Sequence, residues 1–182
     1  GTALVSDCWF DGTLSLGSTG IQGGGFVGLA ETGSNTVFEH CLNSGTLSGS
    51  YTGGALMLGG FVGNVYNSTV TIRDSLSVGK INATQTWRGS MIGRLQGNTS
   101  TGVGVVNISN SYFNNEDGCE ARFNGVRNQN GTCATFPTGL TMEQLRGENA
   151  TTNAADLSFT DKGEGVHWVT GETYPTLRVF TQ

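Results

Sequence analysis

Two short sequence elements recur in the same order along the chain, and this internal repeat constrains the fold more than any other feature. The first has a small residue three or four places before a glycine, and then a β-forming residue, at residues 8–14, 41–47 and 75–81, and the starts of these segments lie 33 and 34 residues apart. The second is a GGFVG pentapeptide at residues 24–28 and 59–63, with a weaker GSMIG copy at 89–93. A repeat of this length is one supersecondary unit that cannot bury its own apolar face, so neighbouring copies must stack.

These segments resemble the GLUG-motif repeats of bacterial surface proteins and of accessory regions in IgA-cleaving peptidases. The resemblance covers residues 8 to 115 and extends to a closing segment with residues 141–145, Trp168 and residues 174–175. It implies a β-solenoid on a secreted or surface-attached protein. It does not imply one activity.

The residues themselves predict the same architecture, an all-β chain that forms a β-solenoid of about three to four rungs of roughly 34 residues. Glycine, serine and asparagine separate about three strand candidates in each repeat, and in the first repeat these lie around residues 12–16, 25–29 and 37–42. The solenoid spans residues 1–136, with an insert at 115–133 that has no counterpart in the other repeats.

Residues 137–182 are expected to form a C-terminal cap on the last rung, within the same structural domain. Thr141 and Gln144 fit the capping box of one short helix that ends near Gly147. Residues 166–180 alternate enough to supply one or two strands. Such a cover protects the open edge of a solenoid from pairing with other chains.

Composition argues against several classes of function. Only 13% of the residues are charged, the net charge is −5 and no basic run occurs, so we expect no nucleic-acid partner. No apolar run reaches the roughly 18 residues of a membrane span. The sequence shows no signal peptide, and we take it as a mature or excised piece.

Sequons and cysteines indicate an extracellular or cell-surface location. N-glycans are predicted at the N-x-S/T sites Asn67, Asn82, Asn98, Asn107, Asn130 and Asn149. Cys8 and Cys41 hold the same repeat position, at a spacing that a disulfide tolerates, and Cys119 and Cys133 then close the insert. The alternatives are an Asn- and Thr-rich β protein without glycans, and a column of buried free thiols.

One repeat position carries polar side chains directly before the cysteine column: Asp7, His40, Asp74 and Asn110. A histidine between two carboxylates can shuttle protons, but a solvated ladder with weak ion pairing is the favoured interpretation. No catalytic motif occurs, so we predict neither an enzyme nor a cofactor. No metal site is predicted, because His40 and His167 lie far apart in sequence and the cysteines lack CxxC spacing.

Hydroxyl residues at fixed distances after the glycine-rich elements predict two columns on one face: Ser34, Thr69 and Thr99 in one, and Thr36, Thr71 and Thr101 in the other. A flat threonine array can bind ice or a crystalline polysaccharide, whereas ordinary β-propensity explains the same pattern. Among the tryptophans, Trp87 is the candidate platform for sugar stacking, and Trp9 and Trp168 are expected in the core.

We predict a structural subunit of an extracellular glycosylated fibre or surface coat, which self-associates head-to-tail into a homopolymeric filament. The apolar run Ala3, Leu4 and Val5 can donate a strand to the next subunit, or it is the first strand of its own sheet. The alternative is an adhesin or carbohydrate-binding module that recognises extracellular glycans. A lesser alternative is a polysaccharide-active enzyme that uses Asp7, His40 and Asp74.

Overall fold

The computed structural model describes residues 1–19, 21–51, 56–83, 87–97, 102–116, 126–159 and 166–181, and for 126–129 the backbone alone. The first repeat contributes the strands β1 (Thr2–Ser6), β2 (Trp9–Phe10), β3 (Thr13–Leu16), β4 (Gln22–Gly24) and β5 (Val27–Ala30). The second contributes β6 (Asn35–Glu39), β7 (Leu42–Asn43), β8 (Thr46–Gly49), β9 (Met57–Gly59) and β10 (Val62–Tyr66). The third contributes β11 (Thr69–Arg73), β12 (Leu76–Ser77), β13 (Lys80–Asn82), β14 (Trp87–Gly89) and β15 (Ile92–Gln96). The fourth contributes β16 (Val105–Ser109), β17 (Tyr112–Asn114) and β18 (Val126–Gln129), and it is followed by β19 (Thr132–Cys133) and β20 (Thr138–Leu140).

Equivalent strands of successive repeats pair in parallel and in register. The resulting sheets have the strand orders β1-β6-β11-β16-β19, β2-β7-β12-β17-β20, β3-β8-β13, β4-β9-β14 and β5-β10-β15-β18. The second sheet, for example, aligns Trp9 with Leu42, Leu42 with Leu76, and Leu76 with Tyr112. The prediction of an all-β chain is confirmed, and the sheets built from the repeats are parallel. Within the described residues, each of the first three repeats has five strands rather than the predicted three.

Part of the predicted insert continues these sheets. Strand β18 pairs in parallel with β15, and β19 pairs in parallel with β16. Both strands lie inside the 115–133 segment that we expected to interrupt the repeat. Residues 117–125, which include Cys119, lie outside the described residues.

The main apolar cluster lies between the β1 and β5 sheets. Its aromatic centre is the pair Phe38 and Phe61, both fully buried, with ring centroids 5.6 Å apart in an edge-to-face arrangement. A smaller cluster, between the β3 and β4 sheets, contains Leu47, Leu56, Leu58 and Ile81. Together the two clusters bury the inward-facing side chains of the stacked strands.

The glycine-rich elements lie where neighbouring backbones approach each other closely. A Cβ atom on Gly60 would lie 2.0 Å from the carbonyl oxygen of Ser90, and one on Gly63 would lie 2.6 Å from the carbonyl oxygen of Gly23. No side chain fits at these distances. The repeated GGFVG pattern therefore follows from backbone packing between adjacent repeats.

The C-terminal strap, residues 141–159 and 166–181, contains short elements. These are the helices α1 (Met142–Leu145) and α2 (Asn149–Asn153), the 3-10 turns Ala155–Leu157 and Arg178–Phe180, and the antiparallel pair β21 (Trp168–Val169) and β22 (Thr176–Leu177). The capping box is confirmed, because Thr141 Oγ1 accepts a hydrogen bond from the Gln144 N–H and Gln144 Oε1 accepts one from the Thr141 N–H. In the described part of the chain, no helix combines the length and hydropathy needed to cross a membrane.

The strap packs along the outer face of the β2 sheet, across several repeats, rather than over the last repeat alone. At the fourth repeat, the Tyr112 hydroxyl donates a 2.8 Å hydrogen bond to Asp156. At the first repeat, the rings of Trp9 and Phe180 lie 5.5 Å apart. Between them, Trp168 is fully buried. The predicted cap on one end is thus a side cover, because the apolar outer face of the β2 sheet needs burial at every level.

Candidate functional site

The polar column predicted from the repeat lies at a corner where the strands β1, β6, β11 and β16 end. Its members share a left-handed backbone, with φ values of 51°, 48°, 50° and 46° at Asp7, His40, Asp74 and Asn110. Among residues with a side chain, Asp, Asn and His tolerate this conformation best. The next residue closes the corner: the Cys41 thiol and the Ser75 hydroxyl each donate to the carbonyl two residues before them, at 3.3 and 2.7 Å.

A second histidine reaches this corner from the strap. The rings of His40 and His167 are stacked, with centroids 3.4 Å apart and planes 2° from parallel. His167 Nδ1 lies 2.6 Å from Asp7 Oδ1, the distance of a short hydrogen bond, across 160 residues of chain. The chain contains two histidines, and the fold brings their rings together although they lie far apart in sequence.

Neighbouring groups hold this corner in place. The Arg73 guanidinium contacts the Glu39 carboxylate through two nitrogens, at 2.9 and 3.1 Å. Asn110 Nδ2 donates to Asp74 Oδ1 at 3.0 Å. Trp168 Nε1 donates to the main-chain carbonyl of Asp74 at 3.1 Å. The strap is therefore fixed at the corner by its neighbouring tryptophan as well as by His167.

The electrostatics of the corner favour a neutral His40. Burial lowers the pKa of His40, and the adjacent His167 lowers it further, while Asp7, Glu39 and Asp74 oppose the shift. The hydrogen bond from Arg73 lowers the pKa of Glu39. Asp7, His40 and His167 each offer one ligand atom, and these atoms lie within 4.8 Å of one another. Neutral imidazoles beside a carboxylate are groups that can hold a metal ion.

We expect the free energy of unfolding of the metal-free protein to fall as the pH is lowered from 7.5 to about 5.5. The pKa of His40 in the folded state lies below its ordinary value of 6.5, so the unfolded chain takes up more protons as the pH falls below that value. His40 thus favours the folded state fully above pH 6.5 and less below it. Urea denaturation at pH 7.5, 6.5 and 5.5 measures the slope.

The matched variant for this experiment is His40→Asn, because Asn110 already holds the same left-handed corner in the fourth repeat. We expect a smaller loss of stability between pH 7.5 and 5.5 in the variant than in the parent. An unchanged slope would mean that His40 does not carry the effect. The groups that face His40 are Asp7, Glu39, Asp74 and His167, and all four stay in place in the variant.

The predicted Cys8–Cys41 disulfide is not formed, and both residues are free thiols. Their sulfurs donate to main-chain carbonyls instead, Cys8 to Ser6 and Cys41 to Val5 and Glu39. In-register neighbours in a parallel sheet hold their Cβ atoms near the strand spacing of about 4.8 Å, above the roughly 3.5–4.5 Å of a disulfide. The stacked residues Cys8 and Cys41 therefore form the alternative to the disulfide, a column of free thiols.

The predicted Cys119–Cys133 bridge has one partner, Cys119, outside the described residues. Cys133 is a free thiol that donates to the Thr135 carbonyl at 3.0 Å. Burial raises the pKa of Cys41 and of Cys133 to about 11 in each case. Both therefore stay protonated at neutral pH, which makes them poor nucleophiles.

The predicted hydroxyl columns are wrong by one residue of register. Thr69 pairs with Asn35 rather than Ser34, and Thr71 pairs with Val37 rather than Thr36. A shift of one residue moves side chains to opposite faces of a strand. The remaining members, Thr99 and Thr101, lie outside the described residues. The flat threonine array for ice or polysaccharide therefore does not form between the second and third repeats.

The tryptophans are engaged within the protein. Trp168 is fully buried, as predicted. Trp9 is half-buried and donates from Nε1 to the Ser44 hydroxyl at 2.8 Å. The Arg94 guanidinium lies over the Trp87 ring, 4.7 Å from its centre. Since this cation covers one face of the ring, Trp87 is less suited to sugar stacking than its sequence context indicated.

The predicted glycosylation sites differ in exposure. The exposed acceptors are Asn82, Asn107, Asn130 and Asn149. Asn67 is 9% exposed, and Asn98 lies outside the described residues. Because a glycan needs an accessible amide nitrogen, the exposed sites are the better candidates and Asn67 is the poorest of those described.

No family model, no curated protein and no solved structure matches the chain. The resemblance to GLUG-motif repeats stays a prediction from the repeated residues.

Proposed function

We propose that the chain is a β-solenoid of three to four rungs that serves as a structural subunit of an extracellular, N-glycosylated fibre or surface coat. The in-register, parallel pairing of equivalent strands in successive repeats supports the solenoid, because each repeat then rests on its neighbours. The exposed sequons on the described strands and strap support a glycosylated surface. Self-association at the N-terminal end is the activity that defines the subunit.

The observation that carries this proposal is the partial exposure of the first repeat, the outermost of the described layers of strands. Interior positions of the first repeat are half-buried, whereas their partners in the second repeat are fully buried. Val5 pairs with Phe38, Leu14 with Leu47 and Val27 with Val62, and each second member has no exposed surface. The first repeat thus has the composition of an interior layer, and within the described residues no further strand packs on its outer side. Covering such apolar surface stabilises association.

In the part of the chain that the structure describes, the strands of the first repeat also have one edge each with no strand paired to it. The strands β1 to β5 are each the first strand of their sheet. An unpaired edge is a template for pairing with another chain. In a second copy, the opposite edges belong to β13, β14, β18, β19 and β20, and they run in the direction that continues the parallel sheets. A contact between these unlike ends is heterologous and generates an open filament when it does not close.

We propose that this contact joins edges and does not exchange the first strand. Strand β1, which includes the predicted assembly residues Ala3, Leu4 and Val5, pairs with β6 over five residues of its own chain. Donating that strand to another subunit would break this register. Adding a neighbour to its free edge breaks nothing, so edge addition is the mechanism that costs less free energy.

We expect the unmodified protein to form regular fibres at micromolar concentration and the Leu4→Lys/Leu29→Lys variant to remain monomeric. Leu4 is 60% exposed on β1 and Leu29 is 37% exposed on β5, so the fold tolerates both lysines. Two ammonium groups on the edge strands repel an incoming copy and lose hydration on docking, as edge lysines do in natural sheets. Negative-stain electron microscopy and sedimentation velocity measure the outcome.

The matched control is Thr152→Lys/Thr173→Lys, which adds the same two charges at exposed positions of the strap. It should form fibres like the parent. A parent protein that stays monomeric at tens of micromolar would overturn the proposal and direct attention to glycan binding. Fibres that persist in the Leu4→Lys/Leu29→Lys variant would exclude the N-terminal edge as the contact.

A further inference from the structure

The corner at the end of β1 and β6 brings together three groups that bind metals, from three distant parts of the sequence. Asp7 comes from the first repeat, His40 from the second and His167 from the strap, and their ligand atoms lie within 4.8 Å of one another. All three side chains are half-buried, with His167 31% and Asp7 38% exposed. Because all three side chains are partly exposed, an ion from solution can reach them.

We propose that Asp7, His40 and His167 bind one divalent transition-metal ion of the zinc class. Two imidazole nitrogens and one carboxylate oxygen suit zinc, which takes three protein ligands and a water in its open sites. Calcium and magnesium prefer oxygen ligands throughout, so they are the wrong ions for this set.

The second ligand triple at this corner is less suited to the ion. It combines His40 with Glu39 and Asp74. Arg73 holds both oxygens of Glu39, at 2.9 and 3.1 Å, so this carboxylate is already neutralised by a cation. Asp74 accepts a hydrogen bond from Asn110. In the first triple, His167 Nδ1 and Asp7 Oδ1 lie 2.6 Å apart and His40 stacks on His167, so the three groups contact each other.

Binding requires one local change. Stacked parallel rings direct their nitrogen lone pairs along parallel planes, so at least one imidazole must turn about its Cβ–Cγ bond to share an ion. The half-buried position of His167 gives it room to turn.

The consequence for the molecule is a cross-link between the strap and the first two repeats. Since the three ligands converge in the folded chain alone, the ion stabilises the folded state according to its concentration and affinity. This stabilisation of the folded state can be measured without an assay of catalytic activity. It also depends on pH, because protons compete for both imidazoles.

The test uses the full chain without a histidine tag, titrated with zinc chloride in an isothermal calorimeter at pH 7.5. We expect one ion per chain and a higher melting temperature with zinc present than after treatment with a chelator. His40→Asn and His167→Gln should each weaken zinc binding at least tenfold, and Asp7→Asn should weaken it less. The control Glu143→Gln removes an exposed carboxylate on α1 and should bind like the parent.

A second measurement keeps the proposal testable if a variant does not fold. The chain has two histidines, so its imidazole nitrogen NMR signals belong to this pair alone. Zinc should shift both sets of signals together with a single midpoint, and calcium or magnesium at the same concentration should shift neither. The proposal is overturned by a parent protein that binds no zinc at millimolar concentration, by histidine signals that do not move, or by folded histidine variants that bind zinc as tightly as the parent.

Discussion

Replacing Gly60 by alanine is expected to lower the free energy of unfolding by about 3 kcal/mol or more. The new Cβ atom would lie 2.0 Å from the carbonyl oxygen of Ser90 and 2.5 Å from the hydroxyl of Ser77. Neither group can move freely, because the Ser77 hydroxyl donates to that same carbonyl at 2.6 Å and accepts from Asn43 at 3.0 Å. The methyl group must therefore push apart two repeats or break a buried hydrogen-bond network.

The matched control is Gly17→Ala, at an exposed position where a Cβ atom would meet nothing within 4 Å. Its φ is not positive, so alanine fits without strain, and the loss of chain entropy in the unfolded state should leave stability unchanged or raised by about 0.4–1 kcal/mol. Urea denaturation of both variants at pH 7.5 gives the comparison. Equal stabilities would show that the glycine-rich elements serve a purpose other than close backbone packing.

Replacing Trp168 by alanine should cost about 3–5 kcal/mol and release the strap from the β2 sheet. The ring is fully buried in the cluster formed by the outer face of that sheet and the strap, which includes Leu42, Leu76 and Tyr112. Its Nε1 also donates to the Asp74 carbonyl at 3.1 Å. Alanine leaves a cavity and an unpaired carbonyl at the point where the strap crosses the middle of the stack.

Trp168→Phe separates these two contributions, since phenylalanine keeps most of the apolar volume and removes the donor. We expect it to cost about 1–3 kcal/mol, less than the alanine variant. Limited proteolysis should cleave Trp168→Ala within the strap sooner than the parent, with the strands of the first three repeats protected. Equal protection of strap and strands in a folded Trp168→Ala variant would contradict a strap held chiefly by this ring.

Several features were predictable because they depend on local sequence or on the repeat itself. The corner column followed from the repeat period alone, and the left-handed backbone explains why it contains Asp, His and Asn. The capping box at Thr141 and Gln144 was predictable because both partners lie within one turn of helix. The parallel pairing of equivalent strands followed from stacking.

Other features depend on contacts that no local pattern contains. Strands β2 and β7 have two residues each, too few to display alternation. The threonine columns failed because a spacing counted from one glycine does not define register when turns differ in length, as at Ser34 and Thr69. His167 was missed because its partner Asp7 is 160 residues away and no short motif joins them. Histidine occurs twice in the chain, and this rarity was the one signal of the pair that the sequence offered.

The strap gives the stack a fixed length. Its contacts at Trp9 and at Tyr112 lie on the first and the fourth of the five strands of the β2 sheet, so the distance between these contacts corresponds to the strands that lie between them. One inserted repeat would move these two contacts about 4.8 Å farther apart. One deleted repeat would bring them closer by the same distance, and the strap would then be longer than the distance it spans. Repeat proteins in general tolerate a change in copy number, because each unit contacts its neighbours alone. Here the strap restricts the number of repeats that fit beneath it, and it links the first repeat to the fourth in one cooperative unit.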